Sequence, residues 1–101
     1  MAAATLVLNV QQDVTLSGTP GNQRLVNLPT GARYLRIRPR TNGIKARYGV
    51  SIADEDAIGA AAYDTIDGDV VERVPVGGLA PTCALSSATA SVVVEMTAIG
   101  G

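Results

Sequence analysis

Histidine, phenylalanine and tryptophan are all missing from this 101-residue chain, which holds one cysteine and three tyrosines. Without histidine, neither a Ser-His-Asp nor a Cys-His catalytic arrangement can be built, and a histidine-bearing zinc site is excluded in the same way. Cys83 has no second cysteine to pair with, so an intrachain disulfide is impossible. Set among small apolar residues, it is expected to be a buried hydrophobe rather than a nucleophile. A reducing or indifferent compartment follows. No apolar run approaches the roughly 20 residues of a membrane-spanning helix. The opening stretch lacks the basic start of a signal peptide and turns polar at Asn9. Val76-Gly77-Gly78-Leu79 has neither the lysine nor the spacing of a phosphate-cradling loop. The expectation is a protein that is not an enzyme, carries no cofactor and has no membrane partner.

What is present is aliphatic. Val, Leu, Ile and Ala must fill the core, and without large rings such a core is thin. Two sheets packed about 10 Å apart suit it. At 101 residues the chain is expected to be one domain. It is long enough to bury roughly 60–70% of its unfolded surface without covalent staples.

The net charge of −1 conceals a segregation. Arg33 to Arg47 holds six bases and no acid, while Asp54 to Glu72 holds seven acids and no base. The two blocks could neutralise each other within a subunit or between subunits. In the basic block two alternating runs flank Asn42-Gly43, a dipeptide suited to a type I′ hairpin turn. Paired about that turn, Leu35 faces Val50, Ile37 faces Tyr48 and Pro39 faces Ala46. The opposite face then carries Arg36, Arg38 and Arg40 against Arg47 and Lys45. Like charges directly opposite each other destabilise a hairpin, so this face must find water, anions or an acidic partner. Pro39 strains that register, because its missing N–H should bond to Ala46.

The rest of the chain reads as short strands between turn signals. Thr5 to Val10 places Leu6, Leu8 and Val10 inward, Asp13 to Ser17 places Val14 and Leu16, and Gln23 to Leu28 places Val26 and Leu28. Gly18 to Asn22 and Leu28-Pro29-Thr30-Gly31 are turns. Asp54 to Ala62 is a loop with at most one short helical turn. Strand structure resumes near Tyr63, Asp67-Gly68 turns the chain, and Val70 to Val74 is a strand. A connection at Val76-Gly77-Gly78 and Ala80-Pro81 leads to Thr82 to Leu85. Residues 91–99 follow, their three consecutive valines marking a strand central to its sheet or covered on both faces. Gly100-Gly101 is a frayed end. This spacing predicts an all-β chain, a single antiparallel β-sandwich or jelly-roll-like domain over 6–99, preceded by a flexible arm over 1–5.

Two ligand classes need weighing. Asp64, Asp67 and Asp69 could serve a hard cation, but their order does not match an EF-hand loop, and Asp-Gly-Asp more often marks a turn. No metal site is expected. An Arg-rich β-ribbon could track nucleic-acid phosphates. Only Tyr34 has the parity of the Arg36–Arg38 face, however, and overall acidity gives no long-range attraction. Nucleic acid is therefore a lesser alternative.

Three stretches carry a resemblance: Leu28-Pro29-Thr30-Gly31-Ala32-Arg33-Tyr34-Leu35-Arg36-Ile37, then Tyr63 to Glu72 (Tyr-Asp-Thr-Ile-Asp-Gly-Asp-Val-Val-Glu), then Cys83 to Val94. A Pro-x-Gly turn enters an alternating strand, a turn rises into a Val-rich strand, and Leu-Ser-Ser-Ala turns into the final strand. Together they resemble the small β-sandwich decoration or cement proteins of tailed-phage virions. The resemblance implies a structural protein made in the host cytoplasm and bound at the capsid surface. Its implied partners are the major capsid protein or other virion proteins, and copies of itself, a trimer being favoured. A place in the tail, neck or fibre base is the alternative within the virion. Arg36, Arg38, Arg40, Lys45 and Arg47 are the candidate partner-binding residues.

Overall fold

A computed structural model of the chain describes residues 4–16, 23–49, 63–76, 82–89 and 91–100. Among these residues there is no helix. The strands in chain order are β1 (Ala4–Thr5), β2 (Gln12–Leu16), β3 (Arg24–Asn27), β4 (Ala32–Pro39), β5 (Ile44–Tyr48), β6 (Asp64–Ile66), β7 (Glu72–Pro75), β8 (Thr82–Ser86) and β9 (Val92–Gly100). They form two sheets, one in the order β1-β3-β8-β5-β6 and the other β2-β9-β4-β7. The all-β sandwich is thus the fold. Its strand pairs are antiparallel except β1 with β3, which run parallel.

Period-two alternation explains which side chains meet between the sheets. Val14 and Leu16, Leu35, Ile37 and Pro39, and Val92, Val94, Met96 and Ala98 line one sheet. Val26, Ile44, Ala46, Ile66, Cys83 and Leu85 line the other. The valine-rich β9 is central, between β2 and β4, as its sequence predicts. β8 is central in the second sheet and buried along its whole length.

The expected hairpin does not form. β4 pairs with β7 and β9, whereas β5 pairs with β6 and β8, so the Asn42-Gly43 segment carries the chain from one sheet to the other. The physical reason lies in the two apolar faces: in a hairpin they would share one side, but in the sandwich they close on each other. The same split separates the like charges that a hairpin would have opposed. Pro39 then needs no partner across a turn, because Arg40 N bonds Val93 O at 2.8 Å at the end of β4. Thr41 (φ 63°) takes the left-handed corner instead of the Asn-Gly pair.

Several bounds also move. Ala4 and Thr5, expected in a flexible arm, pair with Val26 and Asn27. The strand expected to run to Val10 ends at Thr5, and the left-handed turn at Asn9 (φ 61°) leaves Val10 48% exposed. Leu8 bridges to Ala98 and Asn9 N bonds Ala98 O at 2.7 Å, so this segment crosses between the sheets. Val70 and Val71 are exposed, and β7 begins only at Glu72. Gly100 is not frayed: its N–H bonds Asn9 Oδ1 at 3.1 Å, and a Cβ there would meet Leu8. The expected turns at 28–31 and at Asp67-Gly68 are present, with Gly31 at φ 90° and Val70 N bonded to Asp67 O at 3.2 Å. The Gly18–Asn22 turn, the helical turn near 54–62 and the connection at 77–81 lie outside the described residues.

The sheet edges are blunted. β1 has two residues, β6 has three and β7 carries Pro75, while Arg24 Nη1 donates to Thr15 O on β2. Such devices discourage strand addition. Beside β7, the 67–69 turn locks onto the Thr41 corner: Asp69 N bonds Pro39 O at 2.7 Å, and Gly68 lies against the Thr41 backbone. A Cβ on Gly68 would stand 2.4 Å from Thr41 O, which a backbone atom cannot yield cheaply. Gly68→Ala is therefore expected to destabilise the fold by about 1–3 kcal/mol, read as a lower urea midpoint at unchanged m-value.

Candidate interaction surface

On β4 the residues alternating with Leu35, Ile37 and Pro39 must face away from the core. Tyr34, Arg36 and Arg38 accordingly share the outer face of the β2-β9-β4-β7 sheet, and Arg40 follows just past its end. Lys45 and Arg47 alternate with Ile44 and Ala46, and so face outward from the other sheet. The structure brings three of the five candidate cations together and puts two on the opposite side of the molecule.

The three arginines do not share one fate. Glu95, the lone charge in the valine-rich strand, is paired across from Arg38 on one side and Asp13 on the other. Its side chain is only 11% exposed. Glu95 Oε2 accepts from Arg38 Nη1 at 2.9 Å and from Arg40 Nε at 2.8 Å, while Gln11 Nε2 donates to Oε1 at 3.3 Å. Arg40 Nη2 reaches Asp13 Oδ2 at 3.0 Å, and Arg38 Nη2 reaches Asp69 Oδ1 at 3.1 Å. Arg40 thus separates two carboxylates that would otherwise face each other. Its hydrogen bond holds the Glu95 carboxyl below the ordinary carboxylate range, against the opposing effect of burial. The same bond raises the Arg40 guanidinium.

Arg36 lies outside this network. Its neighbours across the strands are Thr97 and Arg73. Arg36 has no salt bridge to a described carboxylate, although it acts on Glu95 at longer range, and Arg73 has none either. The adjoining row is Ile99, Tyr34 and Pro75, with Tyr34 47% exposed. On the opposite face, Lys45 Nζ stands 4.7 Å from the centre of the Tyr63 ring, and Arg47 is half-buried.

Between the margins of the sheets, Tyr48, Asp64, Thr65, Ile66, Glu72 and Val74 line a cavity of about 190 Å³. Asp64 pairs with Ala46, and Glu72 with Ile37, so both acids have inward parity on outermost strands. Tyr48 packs against the core as expected, and its buried hydroxyl has no hydrogen-bond partner. Burial, then the nearby Cys83, Asp64 and Glu72, push its phenol up. Asp64, Asp67 and Asp69 do not converge, and no three potential metal-ligating side chains cluster among the described residues. Cys83 is fully buried, which pushes its thiol up to about 12.

Comparison with protein-family models, with curated proteins and with solved structures gives no match. Of the residues that build this surface, the sequence concealed Asp13 and Arg73, which carry no distinguishing pattern. Glu95 had a signal: one acid inside an apolar strand requires a cationic neighbour.

Two outcomes follow. A carboxyl lowered in the folded state stabilises above its unfolded value near about 4.3 and loses that contribution as pH falls through the folded value. Wild type is therefore expected to melt above Glu95→Gln at pH 7, and the two melting temperatures should converge as the pH drops below about 4. Cys83 should resist an aromatic disulfide reagent in the native protein and react at once in denaturing urea.

Proposed function

We propose that this chain is a non-enzymatic virion structural protein, a capsid decoration or cement protein of a tailed phage. It binds the phage head and stabilises it through subunit contacts. The reading begins from the resemblance of residues 28–37, 63–72 and 83–94, which comprise most of β4, the β6–β7 connection, and β8 running into β9. The observation that carries it further is the division of the basic block over two opposite outer faces. A protein that cements a shell must hold two neighbours at once, and a rigid sandwich with cations on both faces provides separate surfaces for them.

The partners in this reading are the major capsid protein or another virion protein on one side, and further copies of the chain, as a trimer, on the other. Lys45 and Arg47, beside exposed Tyr63, face the head. Arg36 belongs to the subunit side, while Arg38 and Arg40 hold the face together. Made in the host cytoplasm, the protein resides on the capsid surface. A place in the tail, neck or fibre base would use the same two faces and differ only in the partner. The nucleic-acid alternative rested on an Arg-rich hairpin carrying Arg36, Arg38, Arg40, Lys45 and Arg47, and it has less support now that β4 and β5 lie in different sheets.

Co-sedimentation of the purified chain with heads of the phage that encodes it tests the proposal. Wild type should travel with the heads. Lys45→Glu with Arg47→Glu should weaken that binding by about tenfold or more, the effect of losing charge-assisted contacts, while the circular dichroism spectrum is unchanged. Wild-type protein that stays at the top of the gradient would overturn the virion reading. Full binding by the folded double variant would remove the head contact from this face.

A further inference from the structure

We propose that Arg36 and Arg73 of one copy dock onto Asp64 and Glu72 of a second copy of this chain. The inference deepens the virion reading by naming the contact between subunits, and it is read out without any particle.

Each side of the contact is a pair of like-charged residues with no salt bridge to a described residue of the same copy. Arg36 and Arg73 stand directly opposite each other on β4 and β7. Like charges so placed repel, and no described carboxylate lies within salt-bridge distance of either. Asp64 and Glu72 line one cavity at the mouth between the sheets, again without a salt bridge to a described cation. Bringing the two pairs together gives each a partner of opposite charge. Planar guanidinium groups match carboxylates in pairs of hydrogen bonds.

The pairs cannot meet within one molecule. Arg73 and Glu72 are adjacent on β7, and adjacent strand residues point to opposite sides. Arg73 faces out from the sheet and Glu72 faces the mouth. Strand addition is not the route either, since β7 carries Pro75 and β6 has three residues. Side chains must make the contact. Tyr34, Pro75 and Ile99, in the row beside the arginines, supply the apolar area that such a contact would cover.

Sedimentation velocity of the purified chain tests this at about 0.1 M and about 1 M NaCl, between which the screening length falls from about 10 Å to about 3 Å. Wild type should form a defined oligomer at low salt that weakens at high salt. Arg36→Glu with Arg73→Glu should weaken association by about tenfold or more. Adding Asp64→Arg and Glu72→Arg to that variant should restore it, because the charges are then exchanged rather than lost. Arg36→Gln with Arg73→Gln gives a milder version should the reversed pair fail to fold, and should weaken association in the same direction. A wild-type monomer at both salts would overturn the proposal, as would an oligomer untouched by the arginine substitutions or a quadruple variant that stays monomeric. A monomer that still co-sediments with heads would refute this contact and leave the virion reading standing. An oligomer built as described that ignores heads would do the reverse.

Discussion

The architecture depends on burying an aliphatic core from two sides. Leu35, Ile37 and Pro39 on β4, and Ile44 and Ala46 on β5, have no aromatic ring of sufficient area above them to close the core alone. Each apolar face must be covered by another, so consecutive strands go to different sheets. Among the described strands, β5 and β6 alone are adjacent both in sequence and in a sheet. Tight interdigitation of Leu, Ile, Val and Met takes the place of ring area in such an interior.

That weaving also sets the electrostatics. Sending β4 and β5 apart turns a ribbon of cations into two separate faces. It also brings Asp13, Asp69 and Glu95, which are far apart in the chain, beside Arg38 and Arg40. Glu95 sits on a central strand with little exposure, where a single acid unmatched by charge would be costly. Two guanidinium groups and the Gln11 amide satisfy its oxygens. The network couples all three long strands of the sheet's outer face, β2, β9 and β4, through charge-assisted hydrogen bonds, which are the stronger kind.

The legibility of the fold in the sequence follows from which forces are local. Alternation in Asp13–Ser17 and Tyr34–Pro39 identified the inward Val14, Leu16, Leu35, Ile37 and Pro39, because the side-chain period of a strand does not depend on its partner. Turn chemistry placed Gly31 and Asp67-Gly68 for the same reason. Pairing was another matter. The Asn42-Gly43 hairpin had suitable residues, yet nothing in its alternation distinguishes two strands of one sheet from two strands facing each other across a core. The candidate surface was legible to the same degree: the outward arginines were visible, while their carboxylates, supplied by strands distant in sequence, were not. Val10 and Val70 misled because apolar character alone does not bury a residue once a left-handed neighbour such as Asn9 or Asp69 has redirected the chain.

The two central strands, β8 and β9, come after all their neighbours in the chain. Until residues 82–100 have left the ribosome, β2 lacks the partner it has among the described strands, and β3 and β5 have no strand between them. Domains commonly fold from the N-terminal side as they are synthesised. Here both central strands are made after the strands they join, so neither sheet is complete until residues 82–100 are available.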